Sequence, residues 1–274
     1  MSTKTDSILL FSTRIARLFA YGSVSVILVL YLAQVGLSEA QIGLLLTFTL
    51  IGDTAISLWL TTNADRIGRK KMLIVGAGLM IFAGILFGLT NNIVLLFIAA
   101  TIGVISPSGS EVGPFLSIEQ AALSQSIPNE KRTGVFAWYN LVGFFATALG
   151  SLISGGLTQT LQGGGMPPLE SYRIIVFSYS GVGVLLIALF MFLSSAVEAV
   201  PSTNNVKTTL GLHQSRDIVF KLSALFALDS FAGGFIVQSM MAYWFFVRFN
   251  VSPALLGGIF FGANILSGIS SLAA

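Results

Sequence analysis

The sequence predicts an all-α integral membrane protein built as a helical bundle, and three observations predict it. Of its 274 residues, 54% are hydrophobic and only 9% are charged, where soluble domains carry roughly a quarter. The apolar residues fall into eight runs long enough to cross a bilayer. When those runs are threaded alternately, 12 of the 14 Lys and Arg residues land on one side. A mean hydropathy of +0.88 leaves too little polar surface for a soluble globule, which excludes most soluble enzymes. The net charge of +3 is scattered rather than striped, so no nucleic-acid partner is expected. With no cysteine and a single histidine, His213, neither thiolate chemistry nor a thiolate or imidazole metal site is available. No enzyme activity, cofactor or metal is expected.

A helix needs about 20 apolar residues to cross a ~30 Å hydrocarbon core. The expected spans are 8–34, 41–61, 72–90, 93–122, 134–158, 173–195, 217–247 and 253–274. The first carries a run of about 17 apolar residues after Arg17, longer than a signal-peptide core, and is expected to be retained. The second opens after the turn Gly36-Leu37-Ser38, and the third follows the basic cluster ending at Lys71. The fourth contains Pro107, Gly109, Gly113 and Pro114. A regular helix is not expected there, and its freed carbonyls must be buried in protein or line a wet cavity. The fifth presents Ala146, Gly150 and Ser154 at four-residue intervals, a stripe that lets helices approach closely. The sixth follows a Gly- and Pro-rich loop at 163–168. Residues 196–216 are a polar connector, and they divide the chain into a six-helix unit at 1–195 and the start of a second unit at 217–274.

The charge bias orients the bundle with a cytoplasmic N-terminus. Lys4, Arg14, Arg17, Arg66, Arg69, Lys70, Lys71, Lys131, Arg132, Lys207, Arg216 and Lys221 then lie inside, and Arg173 and Arg248 outside. Trp138 and Tyr139 follow an inner loop and read as interfacial anchors.

A shift of 214 positions lays Gly36 to Gly43 over Asn250 to Gly257. Ser38, Ala40, Gly43, Ile51, Ser57 and Leu58 recur as Ser252, Ala254, Gly257, Ile265, Ser271 and Leu272. The turns before the second and eighth spans share a register, as expected of two parallel halves. Ala274 overlies Leu60 in this register, so the repeat predicts a twelve-helix parent with about four further helices. A natural eight-helix protein is the alternative.

The loop after the second span reads Thr61-Thr62-Asn63-Ala64-Asp65-Arg66-Ile67-Gly68-Arg69-Lys70-Lys71. Its Asp-Arg-x-Gly-Arg-Lys core resembles the signature of the major facilitator superfamily between helices 2 and 3. Pro128-Asn129-Glu130-Lys131-Arg132-Thr133-Gly134 is similar to the basic loop that family places between helices 4 and 5. Thr61 stands where the signature opens on glycine, and Ser151 stands where drug antiporters of the family carry proline. The resemblance implies a six-plus-six helical bundle working as a secondary transporter in the cell membrane. It implies a gating role for Asp65, Arg66, Gly68, Arg69 and Arg132, which latch the halves on the cytoplasmic side. The residues themselves say that Asp65 can meet a helix N-terminus or an arginine, that Gly68 permits a tight turn, and that the basic cluster sits near anionic lipid.

Ionisable groups inside a membrane are costly and need a reason. Glu111 and Glu119 lie eight residues apart in the fourth span, roughly 12 Å and about 80° around a regular helix. Asp53 lies roughly 16 Å into the second span and Asp229 at a similar depth in the seventh. Arg14 and Arg17 share one face of the first. The acids outnumber the bases, no base is expected at the depth of Glu111, and an unpaired buried carboxylate takes up a proton. These six residues are the candidates for proton coupling or for lining a solute cavity. For Glu119 a static pair with Arg14 or Arg17 is the competing expectation, and for Asp53 and Asp229 a structural or snorkelled one. The function expected is movement of a small solute by alternating access, coupled to protons. A channel, or a non-transporting sensor or assembly protein, is the alternative.

Overall fold

The computed structural model describes residues 3–199, 216–234 and 237–272, all in helices, turns and loops. The helices are α1 (Thr3–Val35), α2 (Glu39–Ile67), α3 (Arg69–Leu89), α4 (Ile93–Ile102), α5 (Phe115–Ser126), α6 (Asn129–Gly163), α7 (Pro168–Met191), α8 (Arg216–Gly233), α9 (Gln238–Phe249) and α10 (Pro253–Ser270). Among the described residues, seven stretches are long and apolar enough to cross a membrane, with Asp217–Phe249 taken as one. Most of the connector, including Lys207 and His213, lies outside the described residues.

The caps explain where the helices begin. Ser38 accepts the Gln41 backbone N–H while the Gln41 side chain accepts the Ser38 N–H, a reciprocal box that opens α2. Ser252 caps α10 through the N–H of Leu255. The two serines are 214 positions apart, the register of the sequence repeat. Gly36 (φ 102°) and Asn250 (φ 52°), which the same shift superposes, both turn with positive φ. The repeat is therefore one of backbone conformation as well as of letters.

The expected fourth span is not one helix. After ten residues α4 stops at Gly103, and residues 103–114 run through the interior without helical structure until α5 begins. Protein groups take up the freed backbone, as burial requires. Tyr179 donates to the carbonyl of Val104, and the Ser239 N–H donates to that of Pro107 at 3.1 Å. The hydroxyls of Thr147 and Tyr21 reach the carbonyls of Gly109 and Val112, at 3.4 and 3.3 Å. The Gly113 N–H donates to Asp53 Oδ1 at 2.8 Å. The next helix, α6, starts five residues earlier and ends five later than its expected span, because Pro128 leads directly into it.

Helix α1 is the hub; Val24 and Val26 to Leu32 are buried around its full circumference. It crosses α6 where Gly22 and Gly150 leave no side chain between the backbones. A Cβ on Gly150 would sit 2.0 Å from the Phe19 carbonyl, and one on Gly22 2.2 Å from that of Thr147. The Ser154 hydroxyl donates to the Ser23 carbonyl at 2.7 Å across this seam, so the small-residue stripe is a packing device. On its other face α6 meets α10, with Gly155 against Gly257. Helix α9 packs on α1, where the Gln238 side-chain amide donates to Ser25 Oγ at 2.8 Å. By contrast, α8 is exposed over most of its described length.

Candidate functional site

Arg14 and Arg17 point from one face of α1 towards the end of the irregular stretch and the helix α5 that follows it. Glu111, at the end of the irregular stretch, takes Arg17 Nε at 2.7 Å and Arg14 Nη1 at 2.8 Å, one with each carboxylate oxygen. Glu119, one turn into α5, holds the other side of Arg17 as a two-point fork, with Nη1 at 2.9 Å and Nη2 at 2.8 Å. Thr13 donates to Glu119 Oε1 at 2.9 Å, and the Tyr139 hydroxyl donates to Oε2. The Arg14 guanidinium lies 4.2 Å from the Tyr139 ring centre and that of Arg17 4.5 Å from the Phe115 ring centre.

This arrangement corrects three expectations. Glu111 has bases at its depth, because Arg14 and Arg17 both reach it. The two glutamates are not held the roughly 12 Å apart that regular helical spacing gives: the break turns the chain so that both grip a single guanidinium. Tyr139 is no interfacial anchor; it is fully buried beneath Arg14, while Trp138 is exposed as an anchor should be. Two of the four deep acids, Glu111 and Glu119, form with Arg14 and Arg17 a cluster of two cations and two anions.

The members differ in exposure. The side chains of Arg17 and Glu119 are 0% exposed, and that of Glu111 is 11%. Glu111 lines two cavities. One of about 270 Å³ also takes in Arg14, Ser110, Asn140, Thr147 and, from α10, Asn264. The other, about 400 Å³ and more open, is bordered by Asp53, Thr54, Ser57 and Ser117. Asp53 straps the break to α2 through Gly113 and accepts from the Ser57 hydroxyl at 3.3 Å. Asp229 is exposed on α8 and, among the described residues, borders neither cavity.

The α2–α3 loop forms a second constellation. Gly68 (φ 122°) ends α2 and starts α3 with no residue between. Arg69 donates through Nε to Asp65 Oδ1 at 2.7 Å, and through Nη1 to Gln125 Oε1 and to the Val197 carbonyl at 3.3 Å. Of the two partners open to Asp65, a helix N-terminus or an arginine, it takes the arginine, and the N-terminus of α3 is met by Glu198. Its carboxylate accepts the N–H groups of Arg69 and Lys70, at 2.6 and 3.3 Å. Lys70 Nζ donates to the carbonyls of Met191 and Leu193, at 2.7 and 2.9 Å. Asp6 holds the same segment through the N–H and hydroxyl of Ser194. Arg132 donates to the Ser124 carbonyl at 2.5 Å and to that of Ile127 at 3.4 Å, closing the C-terminal end of α5. Arg66 is exposed. Glu198, Gln125 and Asp6 carry no motif of their own; their only signal is a polar side chain beside a membrane helix end.

The family model described as Major Facilitator Superfamily matches residues 10–274. An uncharacterized membrane protein of Saccharomyces cerevisiae is 30% identical over 297 aligned positions, covering 97% of this chain and 66% of that protein. Among solved structures, a D-xylose–proton symporter superposes with a TM-score of 0.61 at 17% identity, over 96% of this chain and 66% of that one. A bacterial homologue of the human drug peptide transporters superposes with a TM-score of 0.59 at 13% identity, over 95% of this chain and 53% of that one. The chain thus spans between half and two-thirds of these relatives, and the structural likeness establishes the fold.

Proposed function

Since the chain belongs to the Major Facilitator Superfamily and is a multi-pass membrane protein, we propose that it serves solute transport by alternating access, coupled to protons through Glu111. The observation that carries this reading is the exposure of Glu111 to two cavities while Arg17 and Glu119 are sealed. The cluster is neutral only while both glutamates are ionised. A proton arriving on Glu111 leaves one positive charge in excess and frees Arg14 and the Arg17 Nε from their shared acceptor. Glu119 keeps Arg17 in place through that step. Residues 1–195 act in this reading as one unit and residues 217–274 as part of the facing one, with the connector between them. The α2–α3 loop, with Asp65, Gly68, Arg69 and Arg132, fixes the end at which the units part, and Arg66, Lys71 and Lys131 hold that end at the cytoplasmic leaflet.

The chain has no native cysteine, which makes labelling direct. Single cysteines at Ser57 and Ser110 in proteoliposomes should change their reactivity towards an impermeant maleimide in opposite senses on the two membrane faces when the pH is lowered. Reactivity that is independent of pH from both sides contradicts the reading.

A further inference from the structure

We infer that the solute handled at this site bears a carboxylate, which takes the place of Glu111 on Arg14 when Glu111 is protonated; the inference rests on the coupling reading above. Arg14 already holds a carboxylate at 2.8 Å, so a second carboxylate can replace the first with no change in guanidinium geometry. The replacement occurs in the cavity of about 270 Å³, which Arg14 borders beside Ser110, Asn140 and Asn264. That volume is just under the roughly 300–1,000 Å³ of most ligand sites and suits a small organic acid. Asn140 Oδ1 accepts from Arg14 Nη2 at 3.2 Å and orients it towards α6. Asn264 donates to the Phe260 carbonyl at 2.8 Å, which anchors it on the α10 wall.

The charge balance selects the class. Arg14, Arg17 and Tyr21 on α1, Asp53 on α2, Glu119 on α5 and Tyr139 on α6 are the titratable groups around Glu111. Asp53 is held by the Gly113 N–H and the Ser57 hydroxyl and borders only the other cavity; within the cluster two cations face two anions, and one proton on Glu111 leaves a charge of plus one there. A neutral solute leaves that charge uncompensated in a low-dielectric site, a cation adds to it, and a monoanion cancels it. The proton and the acid then move together as an electroneutral pair, the proton bound to a Glu111 oxygen and the acid to Arg14.

The test is thermal stabilisation of the purified chain in detergent at pH 5.5 and 7.5. Lactate and benzoate are compared with their amides, lactamide and benzamide, and with inorganic phosphate. Expected is stabilisation by the two acids and not by the amides, stronger at pH 5.5 and stronger than any given by phosphate. Glu111→Gln should bind the acids equally at both pH values. Arg14→Gln should weaken them by roughly ten- to a hundredfold, the worth of a hydrogen bond to a charged group. Asn264→Asp, which leaves the ion cluster whole and so guards against misfolding in the arginine variant, should weaken the acids by electrostatic repulsion. Stabilisation by the amides as strong as by the acids, stabilisation by phosphate alone, an absence of stabilisation by either acid, or undiminished acid binding in both Arg14→Gln and Asn264→Asp overturns the class. Cysteine reactivity at Ser57, read in the same samples, separates the two ideas. Acids that bind without shifting it support the class and defeat alternating access; an amide that shifts it defeats the class alone.

Discussion

Arg17 and Glu119, 102 positions apart, meet through two hydrogen bonds of 2.8 and 2.9 Å with neither side chain exposed to solvent. A pair of this kind stabilises little against a well-packed apolar pair of the same volume, but removing one partner strands a buried charge. Glu119→Gln is therefore expected to destabilise the protein by about 3–5 kcal/mol. Glu111→Gln should cost less, because its side chain already touches the cavities. Thermal melts in detergent check the order, and equal loss in the two variants contradicts it.

The α1–α6 seam predicts a contrast between two glycines. Gly150→Ala forces a methyl to within 2.0 Å of the Phe19 carbonyl, and backbone atoms cannot give way cheaply. Overpacking of this kind costs about 1–3 kcal/mol or more. Gly181 has nothing within 4 Å of an added Cβ, and Gly181→Ala should be neutral or stabilising by about 0.5–1 kcal/mol. Melting temperatures that move together in the two variants defeat this account of the seam.

Around the α2–α3 loop, the larger structural effect is expected from a residue outside the motif. Asp65 is 67% exposed in its pairing with Arg69 four residues on, an arrangement worth about 0.3–0.5 kcal/mol. Glu198 accepts two N–H groups at the start of α3, and losing an N-terminal cap costs about 0.5–2 kcal/mol. Glu198→Ala should thus lower the melting temperature more than Asp65→Ala, and the reverse order refutes the assignment.

Gly143 adjoins Arg14: a Cβ there would lie 2.8 Å from Nε. Among the described residues that buried nitrogen has no hydrogen-bond partner, so the guanidinium is held only through Nη1 on Glu111 and Nη2 on Asn140 and over the Tyr139 ring. Gly143→Ala is expected to push the guanidinium off Asn140 and weaken lactate binding while costing little stability, because the displaced atoms are the end of a side chain. A melt unchanged together with unchanged lactate affinity argues against a role for Arg14 in binding.

Long apolar runs and the placing of Arg14 and Arg17 on one face are local properties, and the sequence displays them. The Gly36 and Asn250 turns were legible for the same reason, since the repeat superposed them. The geometry of the cluster was not. Helical spacing separates Glu111 from Glu119, and only the break at 103–114 brings both to one arginine; Pro107, Gly109, Gly113 and Pro114 announce a break but not its direction. Tyr139 follows a basic loop, as interfacial anchors do, yet α6 turns it inward while Trp138 faces out. Glu198 and Gln125 reach the α2–α3 loop from 129 and 56 positions away, a distance over which a motif carries no information.

The most direct test of the account is an infrared titration of the carboxyl groups in reconstituted protein. Lowering the pH should bring up the C=O stretch of one protonated buried carboxyl, and that band should be missing in Glu111→Gln while it persists in Asp53→Asn. A band that survives in Glu111→Gln and vanishes in Asp53→Asn would place the proton elsewhere and contradict the account.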